Sequence, residues 1–273
     1  MTDYYNRVAT AFDRAAAAYI EEYAANPIMA WLTEDTFDRL CQLFPPGSRL
    51  LEIGCGPGEM AVRLAEAGRS VVASDIAPAM IAQAERRGAA SPARSRLTWL
   101  IAPAGEIGAH VQGLFDGAYS NFGPLNCEPD LARFAGALAQ LVRPGAAFLC
   151  SVMNRTCAWE IMWGLIRLRP RTAFRRLGRG WQMARMSAGP GAPPTEFPVR
   201  FYSPGEFAAT MGPAFRVERI AGYPVLIPPP YLAGRLGQAA SRLAGLERRL
   251  AGLPGLRALG DHFLIVLRRQ ADD

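Results

Sequence analysis

The sequence predicts an α/β fold: a doubly wound, seven-stranded, mostly parallel sheet with helical cap insertions. Three observations predict it. Short apolar runs alternate with helix-compatible stretches, the order that builds a parallel sheet through right-handed crossovers. One run, Leu50-Leu51-Glu52-Ile53, leads straight into Gly54-Cys55-Gly56-Pro57-Gly58 and then into the helical stretch Glu59–Ala65. A second run, Ser70–Ser74, ends at Asp75. Strand, glycine turn, helix is the arrangement that lets a backbone approach a nucleotide-sized ligand closely.

Taken in order, residues 5–25 and 27–43 read as helices that precede the sheet. Strands follow at 49–53, 70–74, 97–101, 115–120 and 146–153, with helices between them at 59–67, 78–87, 105–110 and 129–141. Residues 154–199 interrupt the alternation and are rich in Arg, Trp, Gly and Pro. Order returns at Ser203-Pro204-Gly205-Glu206, a capping box with proline in the first turn. Residues 215–221 read as a sixth strand and 262–269 as the last. Between them, 229–259 reads as an amphipathic helical segment in which Leu243, Leu246, Leu250 and Leu253 make one apolar stripe. The expected organisation is a helical cap over 1–45, a ligand-binding core over 46–153, a basic, aromatic lid over 154–199, and the end of the sheet over 200–273 with a helical insertion at 229–259.

Composition bounds the class. The chain has 273 residues, half of them hydrophobic, and a net charge of +6; all thirty basic residues are arginine. The five cysteines (Cys41, Cys55, Cys127, Cys150 and Cys157) form no CxxC or Cys/His cluster, so neither a metal site nor a disulfide framework is expected. No run approaches the roughly 20 apolar residues of a membrane span. The first residues lack the basic and apolar regions of a secretory signal, which makes the cytoplasm the expected compartment.

The glycine spacing chooses between ligands. A dinucleotide fold uses GxGxxG, with the pyrophosphate on the helix N-terminus. Here the spacing is GxGxG and Glu59 follows at once. That carboxylate suits the helix dipole but repels a pyrophosphate, so a nucleoside without phosphates fits better. Asp75, at the tip of the second strand, is placed to accept from ribose hydroxyls.

The segment Glu52–Gly58 resembles the first motif of the class I, Rossmann-like S-adenosylmethionine-dependent methyltransferases: an acidic residue, an apolar one, then GxGxG. Val71–Ile81 resembles that family's second motif, and the likeness extends over roughly residues 10–153. It implies S-adenosylmethionine as cofactor and S-adenosylhomocysteine as product, with the last strand antiparallel between the fifth and sixth. It also implies a cofactor site of Glu52, Gly54, Cys55, Gly56, Gly58, Asp75, Ile76, Met80, Pro103, Ala104, Ser120 and Asn121. One departure stands out. Pro103 occupies the position where the family carries an acid for the adenine amino group, so either a backbone carbonyl or Glu106 takes that bond, with Ala102 and Ala104 flanking the ring.

Methyl transfer asks mainly for alignment and dryness; a base helps only where the acceptor is protonated. The candidates at the reacting centre are Tyr19, on the first helix, and His262. His262 reads as a base or substrate ligand, or else as a structural partner of Asp261. His110 reads as structural. Phe122, Asn126, Glu160, Trp163 and Tyr231 are the expected substrate contacts, under a roof built by the two inserts. Trp159, Trp163 and Trp181 mixed with arginines over 159–185 suit an anionic amphiphile, a membrane surface or nucleic acid. The expected partner is a small molecule, apolar or anionic, rather than nucleic acid, for which no module is appended. The alternatives are an RNA or protein methylase, or a regulatory protein that binds the nucleoside without turnover.

Overall fold

The computed structural model describes residues 2–189, 191–233 and 237–271. Two helices, α1 (Thr2–Ala25) and α2 (Pro27–Leu43), lead into the alternation β1 (Arg49–Ile53), α3 (Glu59–Glu66), β2 (Ser70–Asp75), α4 (Pro78–Ala89), β3 (Leu97–Ile101), α5 (Ile107–His110), β4 (Phe115–Ser120), α6 (Leu131–Leu141) and β5 (Val142–Met153). Then come α7 (Ala158–Ile166), α8 (Pro170–Ala173), β6 (Gln182–Met186), β7 (Thr195–Val199), α9 (Pro204–Met211), β8 (Phe215–Tyr223), α10 (Pro230–Ala233), α11 (Gly237–Leu250) and β9 (His262–Arg269).

The main sheet has seven strands in the order β3-β2-β1-β4-β5-β9-β8. β1 to β5 are parallel, and β9 runs antiparallel between β5 and β8. Successive residues of β9 feed opposite faces: Phe263, Ile265 and Leu267 join one core cluster, Leu264 and Val266 the other. This is why the centre of the last strand, Phe263–Leu267, is apolar without a break; a strand covered on both sides has no solvent face to mark. The chain reverses its winding direction beside β1 and β4, so a crevice opens at their carboxyl ends, where doubly wound folds hold ligands.

Three elements differ from expectation. β5 starts at Val142 rather than 146, because Val142 pairs with Phe115 before the register shifts and Gly117 meets Ala147. Residues 182–199 form an antiparallel hairpin, β6–β7, as a separate two-stranded sheet. Its burial alternates along Gln182–Met186, a period-two signal short enough to be lost among the neighbouring arginines and glycines. The 229–259 insertion is not one helix, since α11 ends at Leu250 before Gly252, Pro254 and Gly255. Its leucine stripe does not face the protein: Leu243, Leu246 and Leu253 are 40%, 47% and 46% exposed. The buried side is polar instead. Glu247 accepts hydrogen bonds from the amides of Val225, Leu226 and Ile227, and Arg248 pairs with Asp35 and Asp38 on α2.

Candidate functional site

The site begins at the turn after β1. Gly54, Gly56 and Gly58 all have positive φ (71°, 51° and 75°). A side chain at Gly54 would also run into the Pro124 ring at 2.3 Å, whereas at Gly56 it would meet nothing within 4 Å. The backbone at Gly56 thus faces open space and allows close approach. Gly58 serves packing: a Cβ there would collide with Ala84 and Trp99.

Asp75 closes the other side. Its Oδ2 accepts from the Gly56 amide (2.8 Å) and its Oδ1 from the Ala77 amide (2.9 Å). Each oxygen keeps a lone pair for a further donor. Burial raises this carboxyl to about 6, against the pull of those two amides. The helix that follows, α4, has Ala77 at its N-cap, which offers no side-chain hydrogen bond. Asp13 of α1 supplies one from across the molecule, accepting from the Ala79 amide at 2.7 Å.

Between these elements lies a cavity, part of it open to solvent. Gly54, Gly56, Asp75, Ile76 and Met80 line one side, Ala102–Ala104 and Asn121–Pro124 another. The roof is Tyr5, Val8 and Phe12 of α1 with Met186 of β6 and Phe197 of β7. The walls are mainly apolar. Asn121 is an exception: the residue lines the cavity and is 8% exposed, and its side-chain oxygen and nitrogen are buried with no hydrogen-bond partner among the described residues. A buried amide left unpaired carries its full desolvation penalty, which a ligand's donor and acceptor would relieve. Phe122 next to it takes φ 62°, rare for a non-glycine residue, and its amide donates to Ser151 Oγ at 2.6 Å.

The remaining acid on the wall is Glu128. It accepts from the Gly105 amide (2.8 Å), the Tyr5 hydroxyl (2.9 Å) and the Asp130 amide (2.9 Å). Burial raises its pKa while these donors oppose the rise. Glu128 thereby ties the cap helix to the loop after β3.

Of the residues expected to hold the cofactor, Gly54, Gly56, Asp75, Ile76, Met80, Pro103, Ala104 and Asn121 line this cavity, as does Phe122 among the substrate candidates. The others do not. Glu52 turns into the core, where Tyr119 donates to it at 2.9 Å and burial raises its carboxyl to about 8. Cys55 and Ser120 are buried outside the wall. Asn126 is a clamp: its amide donates to the carbonyls of Met153 and Arg200 and accepts from the Met153 amide. Glu160 belongs to a separate buried cluster, which the hydroxyl of the otherwise exposed Tyr231 joins. There Glu160 pairs with Arg175 and Arg176, and the Tyr231 hydroxyl bonds Arg176 and Asp261. Trp163 packs under Arg167 at the surface. His262 has its Nδ1 3.0 Å from Asp261 Oδ2 and lies off the cavity. Glu106 does not reach the wall either. Tyr19 sits on α1, but its side chain lies outside the described residues.

Tyr5, Val8, Phe12 and Glu128 were missed. The first three fall at helical spacing on one face of α1 and were detectable as such. Met186 and Phe197 depend on the hairpin, and Glu128 on a fold-back that no local pattern encodes. The roof therefore comes from α1 and β6–β7, not from the helices of the two inserts.

A family model described as a methyltransferase domain matches residues 50–145. Relatives named ubiquinone biosynthesis O-methyltransferase are 31% identical over 113 residues in Xanthomonas campestris pv. campestris (strain B100) and 34% over 112 residues in Xylella fastidiosa (strain 9a5c). Each match covers 41% of this chain, and it spans 46% and 44% of the relative, less than half its length. Among solved structures, the CcbJ methyltransferase from Streptomyces caelestis superposes with a TM-score of 0.58 at 14% identity, covering 88% of this chain and 90% of its own. A SAM-dependent methyltransferase from Methanosarcina mazei gives 0.57 at 17% identity, over 86% and 98%. At these identities the likeness to the solved structures is one of fold. No helix among the described residues is long and apolar enough to cross a membrane.

Proposed function

We propose, for a chain whose residues 50–145 belong to the methyltransferase-domain family, that it transfers a methyl group from S-adenosylmethionine to a small apolar molecule. One observation carries the reading: Gly56 backbone, the Asp75 carboxylate and the unpaired Asn121 amide converge on one apolar cavity at the carboxyl edge of β1, β2 and β4. They match the three polar needs of the cofactor. The glycine turn admits it, Asp75 accepts from the ribose hydroxyls, and Asn121 pairs with the charged methionine end. Ala102 and Ala104 give the adenine two small apolar neighbours, while Pro103 leaves its amino group to a backbone carbonyl.

The cofactor supplies a methyl carbon already electrophilic on its sulfonium, so the chain's part is alignment and exclusion of water. Such positioning contributes about 7–11 kcal/mol to a reaction of this kind. Phe122, Met153, Met186 and Phe197 offer the acceptor an apolar wall. No histidine is among the lining residues, and both lining acids have each oxygen engaged by a donor. The reading therefore assigns no base from this chain. The names of the relatives add a hydroxyl as the methylated group.

Calorimetry with S-adenosylhomocysteine tests the cofactor assignment. The expected result is micromolar binding that weakens at least tenfold, about 1.4 kcal/mol, in Asp75→Ala. Absence of binding, or binding indifferent to Asp75→Ala, overturns it. Binding with no turnover of any hydroxylated aromatic or aliphatic acceptor would favour the regulatory alternative.

A further inference from the structure

The insert α7–α8 and the turn after it are inside out. Their inward side is small or ionic: Gly164 against Ala173, and the buried Glu160 and Arg176. Their outward side is apolar. Most of the large apolar side chains exposed among the described residues fall between 162 and 183; Ile166 is 66% exposed, Leu168 88%, and Phe174, Leu177 and Trp181 over 40%. Water alone would select the reverse orientation, and patches of this kind mark surfaces that meet something else. The same segment supplies the charge pattern. From 161 to 189 the sequence contains no acidic residue and seven arginines. Arg167, Arg169, Arg171 and Arg179 are exposed, and among the described residues none of them is paired with an acid.

We infer that residues 162–183 form a docking surface for an anionic phospholipid membrane. Apolar side chains interleaved with arginines on one exposed face match the two layers such a surface offers: Trp, Ile and Leu enter the boundary of the acyl region while arginine holds the phosphates. A second copy of the chain is the poorer occupant, because a symmetric pairing would set unpaired arginines against arginines. The placement has a consequence for the site. Hairpin β6–β7 carries Met183 on its outer face and Met186 on the cavity wall, and Trp181 stacks edge-on against Tyr4 of the cap helix. The membrane face therefore adjoins the roof of an apolar cavity. The inference does not rest on methyl transfer, since docking is read without cofactor.

The test is co-sedimentation of the full chain with vesicles of phosphatidylcholine, or of phosphatidylcholine mixed equally with phosphatidylglycerol. The chain is expected to bind the mixed vesicles and to bind neutral ones about tenfold more weakly or worse. The double variants Ile166→Asp/Leu168→Asp and Arg169→Glu/Arg171→Glu should each lose about tenfold or more on mixed vesicles. Their unfolding temperature and S-adenosylhomocysteine affinity should stay unchanged, because these side chains are exposed and off the cavity. Leu168 has φ 54°, a conformation Asp tolerates better than Leu. No binding to mixed vesicles, equal binding to neutral ones, or binding that either double variant retains overturns the inference. Light scattering that finds a dimer dissolved by Ile166→Asp/Leu168→Asp also overturns it, in favour of self-association.

Discussion

Asp75 concentrates the chemistry of the site in one side chain. Burial raises its carboxyl from 3.8 to about 6. Between those values the folded, unliganded chain holds a proton that the unfolded chain has released. Asp75 therefore lowers stability as pH rises through the window from about 4 to 6, and its contribution is most favourable below it. Ligand affinity runs the other way, because ribose hydroxyls need the ionised carboxylate as acceptor. Affinity for S-adenosylhomocysteine is expected to rise from pH 5 to 7 with its midpoint at about 6, levelling off above about 7 and weakening towards tenfold per unit below the midpoint. Calorimetric titrations across that range check it. Asp75→Asn should bind weakly at every pH with the slope removed; a wild-type affinity flat across the range would detach Asp75 from the ribose.

Among the elements, α1 does most to turn an open crevice into a cavity. Its Tyr5, Val8 and Phe12 face inward, and two hydrogen bonds fasten it: Tyr5 to Glu128, and Asp13 to the start of α4. The second is a helix cap supplied from outside the helix. Asp13→Ala should cost about 0.5–2 kcal/mol, as lost N-caps do, read as a lower urea midpoint with unchanged slope. Asp13 also contributes to the raised pKa of Asp75. Removing its charge should move the affinity midpoint to lower pH, a shift that a merely structural cap would not produce.

At the scale of the whole molecule, a buried ionic cluster joins the first insert to the end of the sheet. The Arg176 guanidinium lies between Glu160 and Asp261, and donates to the Asp261 carbonyl at 3.1 Å and to the Tyr231 hydroxyl at 2.7 Å. Burial alone would raise the Asp261 carboxyl, but Arg176 and His262 outweigh it and hold it below the usual range. Arg176→Met would leave Glu160 to the half-exposed Arg175 and Asp261 to His262 and the Tyr231 hydroxyl, and removing one partner of a buried ion pair costs about 3–5 kcal/mol. Denaturant unfolding should register a loss of that size. A loss under about 1 kcal/mol, the value of surface pairs, would mean that water reaches the cluster. Here the charge that locks the insert inward is also what leaves its apolar side facing out.

The strand and helix order, the glycine turn, Asp75 and the capping box at Ser203 were legible in the sequence, because each rests on residues within a few positions of one another. Local spacing settles φ, the face of a helix and the tip of a strand. Tertiary structure alone decided what closes the cavity and which charges meet. Tyr5 reaches Glu128 across 123 residues and Arg176 reaches Asp261 across 85. By sequence alone Glu160 and Tyr231 read as substrate contacts and His262 as a base, substrate ligand or partner of Asp261; in the fold all three gather around Arg176 and Asp261. The leucine stripe of 229–259 looked like a roof until Glu247 turned inward in its place. A side chain's periodicity says that it has a face; which neighbour covers that face, or whether it stays in contact with solvent, depends on how elements far apart in sequence pack together.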